Sequence, residues 1–216
     1  MNLIAQIAML WPSWTFRRAA EKEIGLSSLS LNLSELWPHV ERLRFSLPRA
    51  NKNHGGGVRL LTEYVRWNLA LYRVLLKSKV EKSEALELIE KIQWRIVAPA
   101  SASSFSLSRL KSSSLPERVR WMVDMSFKVL FTRPFQREVI ESGRGSEFNI
   151  TRCPFAEYLI EQNAPELTGA ALCAMDGHMA RQWGIELDRT TTIASGGNHC
   201  DCKFLVPIDS KRRSGA

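Results

Sequence analysis

Residues 148–206, FNITRCPFAEYLIEQNAPELTGAALCAMDGHMARQWGIELDRTTTIASGGNHCDCKFLV, decide how the chain is read. They hold all four cysteines (Cys153, Cys173, Cys200 and Cys202), together with His178, His199, Asp176 and Asp201. Thiols, imidazoles and carboxylates ligate metals and carry nucleophilic or acid–base chemistry. Nothing comparable occurs upstream. The stretch also mixes periodicities. Residues 147–152 alternate and suit a short strand, whereas 154–162 and 165–184 read as helices that begin on prolines. Residues 185–195 and 200–206 read as two strands joined by the turn Gly196-Gly197-Asn198.

This pattern gathers the reactive groups. Cys153 falls at a helix N-terminus, where backbone amides and the helix dipole lower a thiol's pKa. Cys173 and Asp176 are three apart and share a helix face, while His178 lies about 140° around from Cys173 and points elsewhere. On the last strand Cys200, Cys202 and Phe204 share one face, and His199, Asp201 and Lys203 the other. Neighbouring same-face sulfurs sit roughly 7 Å apart, which suits a shared cluster better than a mutual disulfide. The cysteine spacings of 20 and 27 residues match no zinc motif. No metal and no cofactor is therefore assigned.

Upstream the pattern is helical. Residues 1–50 suggest short helices broken by Pro12, Pro38 and Pro48, with Ser34 as a cap and Trp11, Trp14, Phe16, Leu36, Trp37 and Phe45 as packing residues. The run 51–57 (NKNHGGG) is a loop by composition. Val58, Leu61, Val65, Leu69, Tyr72 and Leu76 keep the helical period, with a basic second face formed by Arg59, Arg66, Arg73 and Lys77. Ser78 and Glu81 have capping-box spacing, and the next helix ends at Pro99, making an αα-hairpin. The serine-rich run 100–115 reads as a flexible connection. A helix restarts at Pro116, and after an interruption at Pro134 a last helical piece ends near Ser142. The expected fold is α+β. A mainly helical portion, 1–146, packs with a small antiparallel sheet near the C-terminus, 147–207, as one domain with a disordered tail, 208–216.

Charge separates along the same line. The net charge of the 216 residues is +8, but 1–146 carry 23 basic and 13 acidic residues, whereas 147–207 carry 4 and 8. The basic surplus thus lies away from the candidate site. Without a recognition-helix or zinc-finger pattern it reads as solvated helix faces rather than a nucleic-acid surface. The start MNLIAQIAML lacks a basic n-region and reads as a first packed segment rather than a signal peptide. No run is long enough to span a bilayer. The expectation is a cytoplasmic protein with reduced thiols and a small-molecule substrate, its oligomeric state open.

Four short elements then appear in a telling order. These are RCPF (Cys153, Pro154), PEL (165–167), C-x-x-D (Cys173, Asp176) and a glycine turn leading to Cys200-Asp201. In this order they resemble the L-2-amino-thiazoline-4-carboxylic acid hydrolases, with Cys202 standing where an aromatic residue is expected. The resemblance implies hydrolytic opening of a cyclic amidine. Water or a thiolate attacks the amidine carbon; a thiolate would come from Cys200 or Cys153 with Asp176 moving the proton, with Cys173 in the same site and Asp201 as a second acid or base. Arg152 or Arg181 would hold the substrate carboxylate, with His199 beside them. The competing reading is a non-catalytic sensor that holds a small ligand or a metal on the same cysteines and His199.

Overall fold

The computed structural model describes residues 3–208, with side chains from residue 13 onward. Trp11 and the tail beyond 208 lie outside the described residues. Helix α1 (Leu3–Leu26) runs through the position of Pro12. Helix α2 (Leu33–Ser46) is capped by Asn32, whose side chain accepts from the Ser34 N–H, so Asn32 rather than Ser34 is the cap. Pro38 is the sixth residue of α2, past the first turn where it was expected, and so removes an interior hydrogen bond to the Ser34 carbonyl. Phe16, Leu36 and Trp37 are buried, but Trp14 and Phe45 lie largely exposed, against the packing role expected of them.

Helix α3 (Gly56–Lys77) is the hub of the helical portion. Val58, Val65, Leu69 and Tyr72 are buried as their spacing predicts, and Trp67, Leu71, Val74 and Leu75 are buried too. A helix buried on most of its surface needs neighbours on several sides, and α1, α2 and others pack around it. Leu76, the last residue of the expected stripe, is more exposed. The supposed basic face is only partly solvated. Arg66 is 1% exposed; it donates to Glu63 at 2.7 Å and to the carbonyls of Arg44 and Leu47 at 2.7 and 3.1 Å. The guanidinium staples α3 to the end of α2.

Helix α4 (Lys82–Leu107) overturns two expectations. Its N-cap is Glu81, and Ser78 instead closes α3, so no capping box forms. The helix also continues through Pro99 and the first half of the serine-rich run, to Leu107, although an interior proline costs about 3 kcal/mol. Tertiary contact offsets that cost. Trp183 stacks on Phe105 with centroids 5.1 Å apart and donates to the Ser101 hydroxyl at 3.0 Å. Ser101 lets the helix approach this aromatic side chain closely, so the first half of the run is helix packed through Ser101 and Phe105, while most of its remaining residues are exposed.

Helix α5 (Leu115–Val129) follows. Where a last helical piece was expected, strand β1 (Gln136–Ile140) forms instead. It pairs antiparallel with β2 (Gly145–Arg152), Val139 opposite Phe148. Arg137 is drawn over the Phe127 ring at 4.3 Å and pairs with Asp124 at 2.8 Å. These cross-element contacts outweigh the local helical pattern.

Helix α6 (Pro154–Glu161) leads to a segmented helix: α7 (Glu166–Thr168), a π-helical turn (Gly169–Cys173) and α8 (Ala174–Trp183), closed by Gly184 in the left-handed conformation. Strand β3 (Glu186–Asp188) is shorter than its expected span, and a 3-10 turn (Ile193–Ser195) precedes β4 (Cys200–Leu205). The sheet order is β1-β2-β4-β3, antiparallel throughout. One buried cluster fills the helical portion, and a second lies between the sheet, α5 and α8. The architecture is α+β, with most helices preceding a small antiparallel sheet. Among the described residues no helix is long and apolar enough to cross a membrane.

Candidate functional site

The β4 pleat buries Cys200, Cys202 and Phe204 and leaves the residues between them half-buried. Opposite this face stands the helix carrying Cys173 and Asp176. The centre of the arrangement is an arginine that the sequence did not single out. Arg189, just past β3, donates from one terminal nitrogen to Asp176 Oδ2 at 2.7 Å and from the other to the Cys173 carbonyl at 2.9 Å. It also lies close enough to the Cys202 thiol to favour its charged form. The only hint in the sequence is physical: a carboxylate crowded among thiols needs a cation, and the region has four, Arg152, Arg181, Arg189 and Lys203.

The electrostatics join the remaining groups. Burial pushes the Asp176 carboxyl up to about 6 from 3.8, more than Arg189 pulls it down. Its side chain is nevertheless 27% exposed and that of Arg189 16%, so the pair is crowded but not sealed. Burial pushes Cys153 up to about 11, although the Ala156 and Phe155 amides oppose the rise, and Cys200 is close enough to add to it. The helix N-terminus expected to acidify Cys153 is present and is outweighed by desolvation. Cys173 is pushed up to about 12 by burial and then by the neighbouring Asp176. Cys202 is raised by burial and by Asp176. Cys200 is raised by burial, against the Ile193 N–H, which donates to its sulfur at 3.2 Å, and against Arg189. All four cysteines are free thiols.

The other candidates lie apart from this cluster. Asp201 accepts from the Thr190 and Thr191 amides and the Thr190 hydroxyl, at 2.7–3.1 Å. Desolvation works against its charge, but these bonds hold the carboxyl down to about 2. Both oxygens are thus committed to pinning the segment that follows Arg189. Arg152 makes a two-pronged pair with Glu157 at 2.7 and 3.1 Å. Arg181 donates to His178 Nδ1 at 2.9 Å, and His178 Nε2 faces Glu90 at 2.7 Å while the ring stacks on Trp94. His178 therefore points away from Cys173 toward α4. His199 is half-buried on the strand face opposite Cys200 and Cys202. Among the described residues no three His, Cys, Asp or Glu side chains are arranged to hold a metal ion.

Two surface hollows lie elsewhere, one between α2 and α3 and one beside α5, β1 and β2, and neither has a cysteine in its wall. We locate the site by its reactive groups rather than by concavity, because hollows without a nucleophile or a poised acid offer no chemistry.

Residues 66–204, from the buried arginine of α3 to the end of β4, match the family described as L-2-amino-thiazoline-4-carboxylic acid hydrolase. The chain belongs to that family. The match spans most of the helical hub as well as the cysteine-rich stretch, so it takes in the whole buried cluster beside the sheet but only the part of the helical cluster that follows residue 65. No curated protein and no solved structure matches the chain.

Proposed function

We propose that the protein is a cysteine-dependent hydrolase that opens a small cyclic amidine bearing a carboxylate, a 2-amino-thiazoline-carboxylate or a close analogue. The observation that carries this reading is the Arg189–Asp176 ion pair set among the Cys153, Cys173 and Cys200 thiols. The family name supplies the substrate class.

Cys200 is the first choice of nucleophile, because the Ile193 N–H and Arg189 both favour its thiolate. For Cys153, with a thiol near 11 and Asp176 near 6, handing the proton to Asp176 would cost about 7 kcal/mol in the ground state. In the proposed step Asp176 takes the thiol proton as sulfur bonds to the amidine carbon, and the C=N electron pair moves onto nitrogen. Asp176 then protonates the ring sulfur or nitrogen as the bond to it breaks. Water attacks the resulting enzyme-bound carbon and returns the thiol. The test is turnover of L-2-amino-thiazoline-4-carboxylate, followed by mass spectrometry, in the parent, Cys200→Ala and Asp176→Asn. Both variants should lose at least ~100-fold in kcat; unchanged turnover in both rejects the reading.

The raised thiols favour a second reading, a non-catalytic module that binds a small ligand at the same cluster. Iodoacetamide labelling separates the two: a thiol near Asp176 that labels and whose labelling kills turnover belongs to the hydrolase.

A further inference from the structure

Arg189 and Asp176 touch through a single contact. Asp176 uses only Oδ2, and among the described residues its Oδ1 makes no hydrogen bond. A guanidinium carries five N–H donors, and Arg189 spends one on Asp176 and one on the Cys173 carbonyl. A two-pronged pair would have closed both groups to a ligand; this one leaves a carboxylate oxygen and guanidinium donors open at a partly exposed site. The remaining neighbours, Cys153, Cys173, Cys200 and Cys202, are neutral thiols held above their usual range by burial. The cluster therefore contains one positive and one negative charge.

That balance restricts what can enter. A mono-anion or a mono-cation would leave the crowded site with an uncompensated charge, which burial makes costly. A ligand carrying both signs would not. A cyclic amidine is a strong enough base to be protonated near neutral pH, so with a ring carboxylate it is a zwitterion. Resting on the hydrolase reading for the substrate, we propose that the Arg189–Asp176 pair is the substrate receptor and opens to take both ends of a small zwitterion, carboxylate on Arg189 and amidinium on Asp176. The amidinium carbon is then delivered to the groups that would move its protons, and the carboxylate anchor is Arg189 rather than Arg152 or Arg181, which are engaged with Glu157 and His178.

The inference is tested by calorimetric titration of the full chain with three probes of similar size. These are iminopyrrolidine carboxylate (zwitterion), iminopyrrolidine (cation) and pyroglutamate (anion). The zwitterion should bind about 10- to 100-fold more tightly than either single ion, the yield of one additional charge-assisted contact. Arg189→Gln should weaken the zwitterion and, because it leaves Asp176 uncompensated, tighten iminopyrrolidine until the difference between the two is gone, and Arg189→Lys should restore most of that difference. Asp176→Asn should mirror this, reducing the zwitterion to the level of pyroglutamate. Equal binding of the three probes, no binding of any, or an equal loss for all three in Arg189→Gln overturns the proposal. Turnover of the thiazoline carboxylate is scored separately. Turnover with no preference for the zwitterion removes the receptor alone, and a clear preference without turnover removes the hydrolase reading alone.

Discussion

Arg66 and Arg189 are both largely withdrawn from solvent, and their surroundings differ. Arg66 sits in the helical portion, bonded to Glu63 and to two backbone carbonyls, with no thiol beside it. Arg189 sits in the sheet portion, bonded to Asp176 and one carbonyl, among four thiols. The first spends donors on two backbone carbonyls and on a carboxylate with no nucleophile beside it. The second faces a carboxylate set among thiols. A withdrawn guanidinium therefore reads as a fastener or as a candidate functional cation according to what else stands beside its partners.

The comparison can be broken by mutation. The largest expected effect is on catalysis: Cys200→Ala and Asp176→Asn each lower kcat at least ~100-fold while far-ultraviolet circular dichroism stays that of the parent. A kcat within a factor of about two of the parent would put Arg189 in the same class as Arg66. Next in size is stability. Arg66→Met strands two carbonyls and leaves Glu63 with Arg44 alone, and should cost about 3 kcal/mol in urea unfolding. Arg189→Gln, at a site with more access to water, should cost less, about 1–2 kcal/mol. The reverse order would sink the distinction drawn here.

Proton linkage gives a finer test. The Asp176 carboxyl is raised from 3.8 to about 6 in the folded chain, so the folded state holds its proton where the unfolded state has lost it. Stability associated with Asp176 is therefore present in full below about pH 4 and declines as pH rises to about 6, by roughly 3 kcal/mol. Unfolding measured across that window in the parent and in Asp176→Asn should differ in slope in this sense. Asp201, held down to about 2, gives the opposite sign: its contribution is lost only as pH falls through the range from about 4 to 2. The smallest effect is expected at Arg152→Ala, whose pair with Glu157 is exposed and screened by solvent; turnover should stay within about twofold. A large loss of turnover there would return the carboxylate anchor to Arg152.

What the sequence disclosed follows from how local each signal is. The α3 stripe and the alternation of Cys200, Cys202 and Phe204 are periodic patterns written into neighbouring residues, and burial follows them. The serine-rich end of α4 and the strand at 136–140 were misread because distant partners decide them: Trp183 for the first, β2 with Phe127 and Phe148 for the second. The site shows the same division. Cys173 and Asp176 fall on one helix face by counting, but Arg189 reaches them across a loop, and no spacing rule links residue 189 to 176. The expected acidification of Cys153 failed because helix geometry is local whereas desolvation depends on the whole surrounding fold.

The π-helical turn at Gly169–Cys173 has a consequence of its own. Such a turn amounts to one additional residue inserted into an otherwise regular rod, and each residue advances a helix by about 100°. Excising a single codon here would leave hydrophobic content and charge nearly untouched, yet would swivel α8 by more than a quarter of a revolution relative to the residues before it. A chain lacking that one residue would present a different side of α8 to the sheet.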